Sequence, residues 1–185
     1  AKFNSWDKND PKDASIILDM LKHGMVMRYV DPMVAGHHDL QELSKTYYQV
    51  TRARTKVLHA IANHHLPLYF PEMHRYWQTT RIEWWLRFML EFPTPAHVRQ
   101  FSKDAFIEQA WDLVGRKVEK TAKLTEIWQM AEHSAALPHA LDSLAVETFR
   151  VSLRQAQHLN ELRRSLEECA ERVLASNQDY EQLIS

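Results

Sequence analysis

Residues 40 to 61 read LQELSKTYYQVTRARTKVLHAI, and this stretch decides the fold. Apolar side chains recur here in steps of three and four, which is the spacing that lines one face of an α-helix. The series comprises Leu40, Leu43, Tyr47, Val50, Val57 and Ile61, and Arg54 interrupts it. The pattern predicts a helix over about 37–65, either an amphipathic helix of its own domain or one strand of a coiled coil.

A second long helix is predicted over about 140–175, where the same spacing returns. The repeating residues are Leu159, Leu162, Leu166, Cys169 and Val173. The two long helices could pair antiparallel within one chain, or they could join two chains into a homodimer or higher oligomer. A tolerated polar residue such as Arg54 favours a specified register over maximal stability.

Helix-starting and helix-ending residues place shorter helices in the rest of the chain. Asp10-Pro11 offers an N-cap and a first-turn proline, and Gly24 is a natural end for the helix that follows. Leu66-Pro67-Leu68 is predicted to end the first long helix. Thr94 and Ser102 are predicted to cap two further helices.

The middle of the chain, residues 67 to 138, is rich in aromatic and large apolar side chains. They are densest between Trp77 and Phe92, and they predict a core or a helix-packing surface, although tryptophans can also stack on bases. Glycine is rare, and helix-favouring residues dominate. We therefore predict an all-α protein, a helical bundle with two long coiled-coil-like helices.

Composition limits the classes of function. The 185 residues carry a net charge of −1, and a free-standing nucleic-acid-binding domain is usually more basic. Contact with DNA or RNA would therefore depend on local basic faces. The single Cys169 excludes an internal disulfide and a cysteine zinc site, and it is compatible with a reducing cytoplasm. No run of about 18 apolar residues predicts a membrane span.

Several basic residues are candidates for nucleic-acid contact, because lysine and arginine pair with phosphates. They are Lys8, Lys12, Arg52, Arg54, Lys56, Arg116, Lys120 and Lys123. Arg52 and Lys56 share one side of the first long helix with His59. The alternative is that these residues lie on solvated helix faces and pair with nearby glutamates.

Asp10 and Asp13 form a D-x-x-D pair at a helix start, so both lie on one helical face. Two such carboxylates can share a hard divalent cation such as Mg²⁺, as in the two-metal sites of phosphoryl-transfer enzymes. The alternative is that they serve only the helix terminus, where aspartate is favoured for capping.

The surroundings of this pair resemble the DEDD transposases of insertion sequences, relatives of the Piv DNA invertases. The resemblance begins at Lys8-Asn9-Asp10-Pro11-Lys12-Asp13-Ala14 and continues through Leu21-Lys22-His23-Gly24. It extends over nearly all of the chain. Its later blocks are Tyr29-Val30-Asp31-Pro32, the basic run Arg52-Ala53-Arg54-Thr55-Lys56, Phe92-Pro93-Thr94-Pro95 and Asp179-Tyr180-Glu181-Gln182-Leu183-Ile184-Ser185.

The resemblance implies the following segments. They are the tail of a RuvC-like nuclease domain (1–24), a linker with the first long helix (25–66), a helical middle region (67–138), the second long helix (139–176) and the lead-in to a serine-containing domain (177–185). Asp10 and Asp13 would be catalytic and metal-binding, as the third and fourth acidic residues of a tetrad that holds Mg²⁺. The other two are expected before Ala1, and a Gly-rich loop and a serine nucleophile after Ser185.

The resemblance further implies a bacterial cytoplasmic enzyme that cuts and rejoins DNA strands during transposition, with DNA and possible guide RNA as partners. This piece would supply the two aspartates and a helical dimerisation arm, and would be inactive alone. The alternatives are a non-catalytic all-α dimerisation scaffold and a nucleic-acid-binding module without a catalytic parent.

Overall fold

A computed structural model describes residues 10–24, 38–78, 82–115 and 119–175, and this part of the chain contains helices and turns but no strand. The predicted all-α fold is confirmed. The α-helices are α1 (Asp10–Lys22), α2 (His38–Ala60), α3 (Leu66–Tyr69), α4 (Ile82–Glu91), α5 (Pro95–Arg99), α6 (Lys103–Ala110), α7 (Lys120–Glu132) and α8 (Leu144–Ala175). A π-helical turn covers Ile61–His65, and a 3₁₀-helix covers Pro71–Tyr76.

The chain divides into two compact units, residues 1–41 and 42–185. In the first unit, α1 begins at Asp10 and is followed by Gly24 with φ +64°. The predicted start and stop are both confirmed, since glycine adopts this left-handed conformation without a steric penalty. The basic Lys8, the expected connection over 25–35 and the lead-in over 177–185 lie outside the described residues.

In the second unit, α2 and α8 run antiparallel within one chain. The Tyr47 hydroxyl donates to the Glu167 carboxylate (3.0 Å), the Arg54 guanidinium donates to the Asn160 side chain, and the Ser152 hydroxyl lies 3.3 Å from Nε2 of His65. Residues later in α2 and in the turn after it therefore contact residues earlier in α8, which is the order expected of antiparallel helices. The sequence allowed the long helices to pair within one chain or between two chains. In this structure they pair within one chain.

The first long helix does not stop at Leu66-Pro67-Leu68, so that prediction is wrong. The helical path continues through the π-helical turn and α3 to Tyr69. Pro67 lies in the first two residues of α3. A proline at a helix start lacks only an N–H that has no intrahelical partner, and its ring suits the first turn.

The middle region packs into the hydrophobic core, as its aromatic content predicted. α4 packs on α8, and α5 and α6 pack on α7. The largest fully buried side chains include Trp85, Phe70, Phe88, Phe106 and Phe149. The indole N–H of Trp85 donates to the Met73 carbonyl (3.1 Å), which satisfies its polar atom inside the core. Trp77 and Trp84 are only partly buried and pack against the edge of this core.

The two predicted caps have different outcomes. The Ser102 hydroxyl accepts a hydrogen bond from the Ala105 N–H (3.4 Å) at the start of α6, so it is a side-chain N-cap. Thr94 occupies the N-cap position of α5, but its side chain makes no capping bond. Its hydroxyl lies 2.8 Å from Nδ1 of the buried His97, and that contact replaces the cap.

Candidate nucleic-acid interface

The D-x-x-D pair lies in the first turn of α1, with Lys12 between the two aspartates. The helical backbone therefore carries Asp10 and Asp13 on one face, as the three-residue spacing requires. The side chains of these residues lie outside the described part of the structure, as do Lys8 and Arg116. Among the described residues, no group of three or more histidine, cysteine or acidic side chains converges on a metal-sized site.

Arg54 lies in the seam between α2 and α8, where it is only 8% exposed. Its guanidinium donates to Asn160, and burial lowers its pKa, with the positive charge of Arg163 adding to the effect. The sequence placed Arg54 at an apolar position of the helical repeat, and the structure shows that this position faces α8. The side chain therefore points away from the solvent-exposed surface where phosphates would be met.

Lys120 and Lys123 pack against aromatic rings. The ammonium of Lys120 donates to the Trp111 carbonyl (2.8 Å) and lies 4.9 Å from the centroid of the Trp111 ring. The ammonium of Lys123 lies 3.9 Å from the Trp84 ring and 4.8 Å from the Tyr76 ring. Burial lowers the pKa of Lys123, and the negative charge of Glu126 opposes that shift. Both lysines serve the packing of α7 through cation–π contacts.

Arg52 and Lys56 differ from the other candidates, because both are exposed and neither has an ion pair or hydrogen bond to any described residue. Their helix surface also lacks negative charge. Between residues 43 and 71 the sequence contains no aspartate and no glutamate. His59 is exposed on the same side, three residues after Lys56.

Four of the five arginines of α8 show the opposite arrangement. Arg150 and Arg154 pair with Glu147 at 3.0 and 3.5 Å, and Arg163 pairs with Glu167 at 2.7 Å. Arg164 pairs with Glu83 of α4. The Arg150 guanidinium lowers the pKa of Glu147, and the Arg163 guanidinium lowers that of Glu167. The expectation of cations paired with nearby glutamates therefore holds for most arginines of α8 and for Lys45 of α2, which lies 2.8 Å from Glu42, but not for Arg52 and Lys56.

Tyr48 was not singled out from the sequence, yet it completes this face. Its side chain is 64% exposed and lies one helical turn before Arg52. The neighbouring Tyr47 donates a hydrogen bond to Glu167 of α8, whereas Tyr48 has no hydrogen bond or ring contact with any described residue. We call Tyr48, Arg52, Lys56 and His59 the α2 stripe. The sequence could have identified Tyr48, because it lies four positions before Arg52 on the side of α2 opposite the apolar repeat.

Comparison with known proteins gives no match to a protein family, to a curated protein or to a solved structure. No helix in the described part of the chain is long and apolar enough to cross a membrane.

Proposed function

We propose that this chain is the helical part of a DNA transposase of the DEDD type, and that its α2 stripe binds nucleic acid. The observation that carries the proposal is the exposed pair Arg52 and Lys56, which has no acidic partner among the described residues. Cations left without carboxylates are available to phosphates, whereas those already paired must first break an ion pair. The DNA substrate, and any guide RNA, would lie against this face.

The charge distribution supports one binding face. The second half of α8 carries both signs of charge, with Glu161, Glu167, Glu168 and Glu171 beside Arg163, Arg164 and Arg172, whereas α2 has no acidic residue after Glu42. Although the net charge of the chain is −1, positive charge is therefore in excess on the part of α2 that carries Arg52 and Lys56. Because the screening length is about 8 Å at physiological salt, this local charge governs the encounter with a phosphate more than the net charge does.

A pair of charge reversals tests the binding face. The variant Arg52→Glu/Lys56→Glu is compared with Arg154→Glu/Arg172→Glu, which makes the same change in net charge on α8. Fluorescence anisotropy with labelled DNA at low salt should show a loss of affinity of about tenfold or more for the α2 variant, since several phosphate contacts are removed. The α8 variant should bind much more tightly than the α2 variant. Equal losses in both variants would contradict the proposal.

Asp10 and Asp13 are proposed to bind Mg²⁺ in the intact enzyme, together with acidic residues supplied by the rest of the nuclease domain. This part of the proposal is supported by the resemblance around the D-x-x-D pair and by its position in the first turn of α1. In the full-length enzyme, Asp10→Ala should abolish Mg²⁺-dependent strand cleavage, while the 185-residue chain should not cleave DNA. Cleavage by this chain that Asp10→Ala abolishes would overturn the second expectation.

A homodimer is the second candidate, and the outer face of α8 favours it. Leu144, Val151 and Leu162 are 83%, 56% and 39% exposed, and they lie on one side of the helix. This face lies outside the seam that α2 already occupies. Light scattering should then give about twice the chain mass of 21.9 kDa, and Val151→Glu/Leu162→Glu should give the monomer mass. A wild-type chain that stays monomeric over a concentration series would remove this candidate.

A further inference from the structure

Tyr48 gives the α2 stripe a feature that phosphate binding alone does not require. Its side chain is 64% exposed, no acidic residue follows Glu42 on this helix, and no described residue makes a hydrogen bond or a ring contact with it. Tyr47 shows what a structural tyrosine does in this helix. Its hydroxyl donates to Glu167, and its ring centroid lies 5.7 Å from the Arg163 guanidinium carbon. The packing of α2 against α8 explains Tyr47 but leaves Tyr48 unexplained.

We propose that the α2 stripe binds unpaired nucleotides, with a base stacked on Tyr48 and a neighbouring phosphate paired with Arg52. The inference rests on the proposed function of the stripe as a nucleic-acid surface, and it specifies the class of nucleic acid. Aromatic side chains beside a cationic track are the common feature of surfaces that bind single strands, because every base offers a ring face for stacking.

The order of the residues along α2 fits a single strand. Tyr48, Arg52 and Lys56 follow one another at intervals of one helical turn, about 6 Å along the axis, and His59 extends the stripe. An aromatic ring at one end and cations beyond it match a stacked base followed by the phosphates of the same strand. In a duplex the ring faces of the bases are covered by their neighbours, so Tyr48 would find only backbone or base edges.

The test uses the full 185-residue chain and three labelled probes in fluorescence anisotropy. They are an oligothymidylate about 12 nucleotides long, an oligouridylate of the same length and a DNA duplex of similar length. We expect an unpaired probe to bind more tightly than the duplex. The comparison of the two unpaired probes identifies the sugar, and preference for either one over the duplex supports the inference.

Three variants test the role of the ring. Tyr48→Ala should weaken binding of the favoured unpaired probe about 5- to 100-fold, the range expected for the loss of one stacked base. Tyr48→Phe should retain most of the affinity, because it keeps the ring. Gln49→Ala, an exposed neighbour on the same helix, should bind like the wild type. Circular dichroism should give the same helix content for all three, since neither position is buried.

The outcomes separate this inference from the function on which it rests. If Arg52→Glu/Lys56→Glu weakens binding but the duplex binds as tightly as both unpaired probes, the stripe is a nucleic-acid surface and the single-strand inference is wrong. A Tyr48→Ala variant that binds like the wild type leads to the same conclusion. If the charge reversals change binding to none of the probes, the proposed function itself fails.

Discussion

Arg54 is the polar side chain that the seam between the long helices encloses. Its guanidinium donates to the side-chain oxygen of Asn160, whose side-chain nitrogen has no hydrogen-bond partner among the described residues, and Tyr47, Arg163 and Glu167 form a second polar group nearby. Polar atoms inside an apolar seam are satisfied only when the two helices are aligned correctly. The pair therefore specifies the register of α2 against α8, at the cost of desolvating a guanidinium.

Truncating Arg54 alone should lower the stability of the fold more than replacing both Arg54 and Asn160 with apolar residues. Arg54→Ala should lower the free energy of unfolding by about 1–3 kcal/mol, because it opens a gap and removes the hydrogen bond to the side-chain oxygen of the partly buried Asn160. The double variant Arg54→Leu/Asn160→Leu should recover most of that loss, since two apolar side chains fit an apolar seam. Urea unfolding monitored by circular dichroism measures both. A double variant less stable than Arg54→Ala would contradict this account of the seam.

His97 should make the stability depend on pH. Burial lowers its pKa, the positive charge of Arg150 lowers it further, and a hydrogen bond to the backbone of Leu141 opposes both effects. The unfolded chain binds a proton at a pH near 6.5, whereas the folded chain does so only at lower pH. Below about pH 6.5 the unfolded state therefore holds more protons, and the free energy of unfolding falls as the pH falls.

The measurement is a series of urea unfolding curves between about pH 8 and pH 5. His97→Gln should reduce the pH dependence, and His65, whose pKa burial and His64 also lower, should account for part of the remainder. His59→Gln, the same change at an exposed position, serves as the control for the substitution itself. If the His97 variant loses stability with falling pH as steeply as the wild type, His97 is not a source of the effect.

Lys120 and Lys123 illustrate what single residues do not reveal in a sequence. In the sequence these two lysines are basic residues like Arg52 and Lys56, and all four were candidates for phosphate contact. The difference arises from rings distant in the chain, such as Trp84 beside Lys123 and Trp111 beside Lys120. Helical periodicity identifies which residues share a face of one helix, but not which neighbouring element covers that face.

The π-helical turn over Ile61–His65 is the least regular part of the first long helix. Helices of this type usually occur as single turns, in which one residue more than the α-helical number is accommodated. Ile61 is fully buried, and the ring of His65 stacks on Phe149 with centroids 5.4 Å apart. The turn therefore keeps α2 and α3 both in contact with α8 while absorbing an extra residue.

Deletion of a residue should be tolerated in this turn and not in α2. Removing the exposed Asn63 should convert the turn to regular α-helix and leave both flanking faces against α8. Removing Ala53 should rotate the preceding part of α2 by about 100° and separate Tyr47 from Glu167. Thermal unfolding should show a much larger loss of stability for the second deletion. Equal losses would mean that the turn does not absorb an extra residue.

Helix starts marked by capping residues followed from the sequence, whereas the predicted end at Leu66-Pro67-Leu68 did not. Asp10-Pro11 and Ser102 mark helix starts in the structure, because capping is a local property of the chain. Pro67 was misjudged because proline stops an ongoing helix but fits the first turn of a new one. The hydroxyl of Thr94 contacts the buried imidazole of His97 instead of capping α5. The local sequence did not predict this contact, because it depends on the burial of His97.

At the scale of the whole molecule, the two long helices differ in charge, since α8 carries five arginines and five glutamates whereas α2 has no acidic residue after Glu42. The spacing of apolar residues predicted both long helices and left open whether they pair within a chain. In the antiparallel pair, the side of α2 that carries Arg52 and Lys56 is directed away from α8. The acidic residues of α8 lie on the partner helix. This arrangement makes Arg52 and Lys56 available to a phosphate backbone.

The salt dependence of binding tests that claim most directly. The logarithm of the binding constant should fall linearly with the logarithm of the salt concentration, with a slope of about 0.7 per phosphate contact for a single strand and about 0.9 for a duplex. Arg52→Gln/Lys56→Gln should reduce the magnitude of the slope by about 1.4 to 1.8, which corresponds to two lost contacts. Arg154→Gln/Arg172→Gln should leave it unchanged. A slope that the α2 variant shares with the wild type would show that the stripe does not contact nucleic acid.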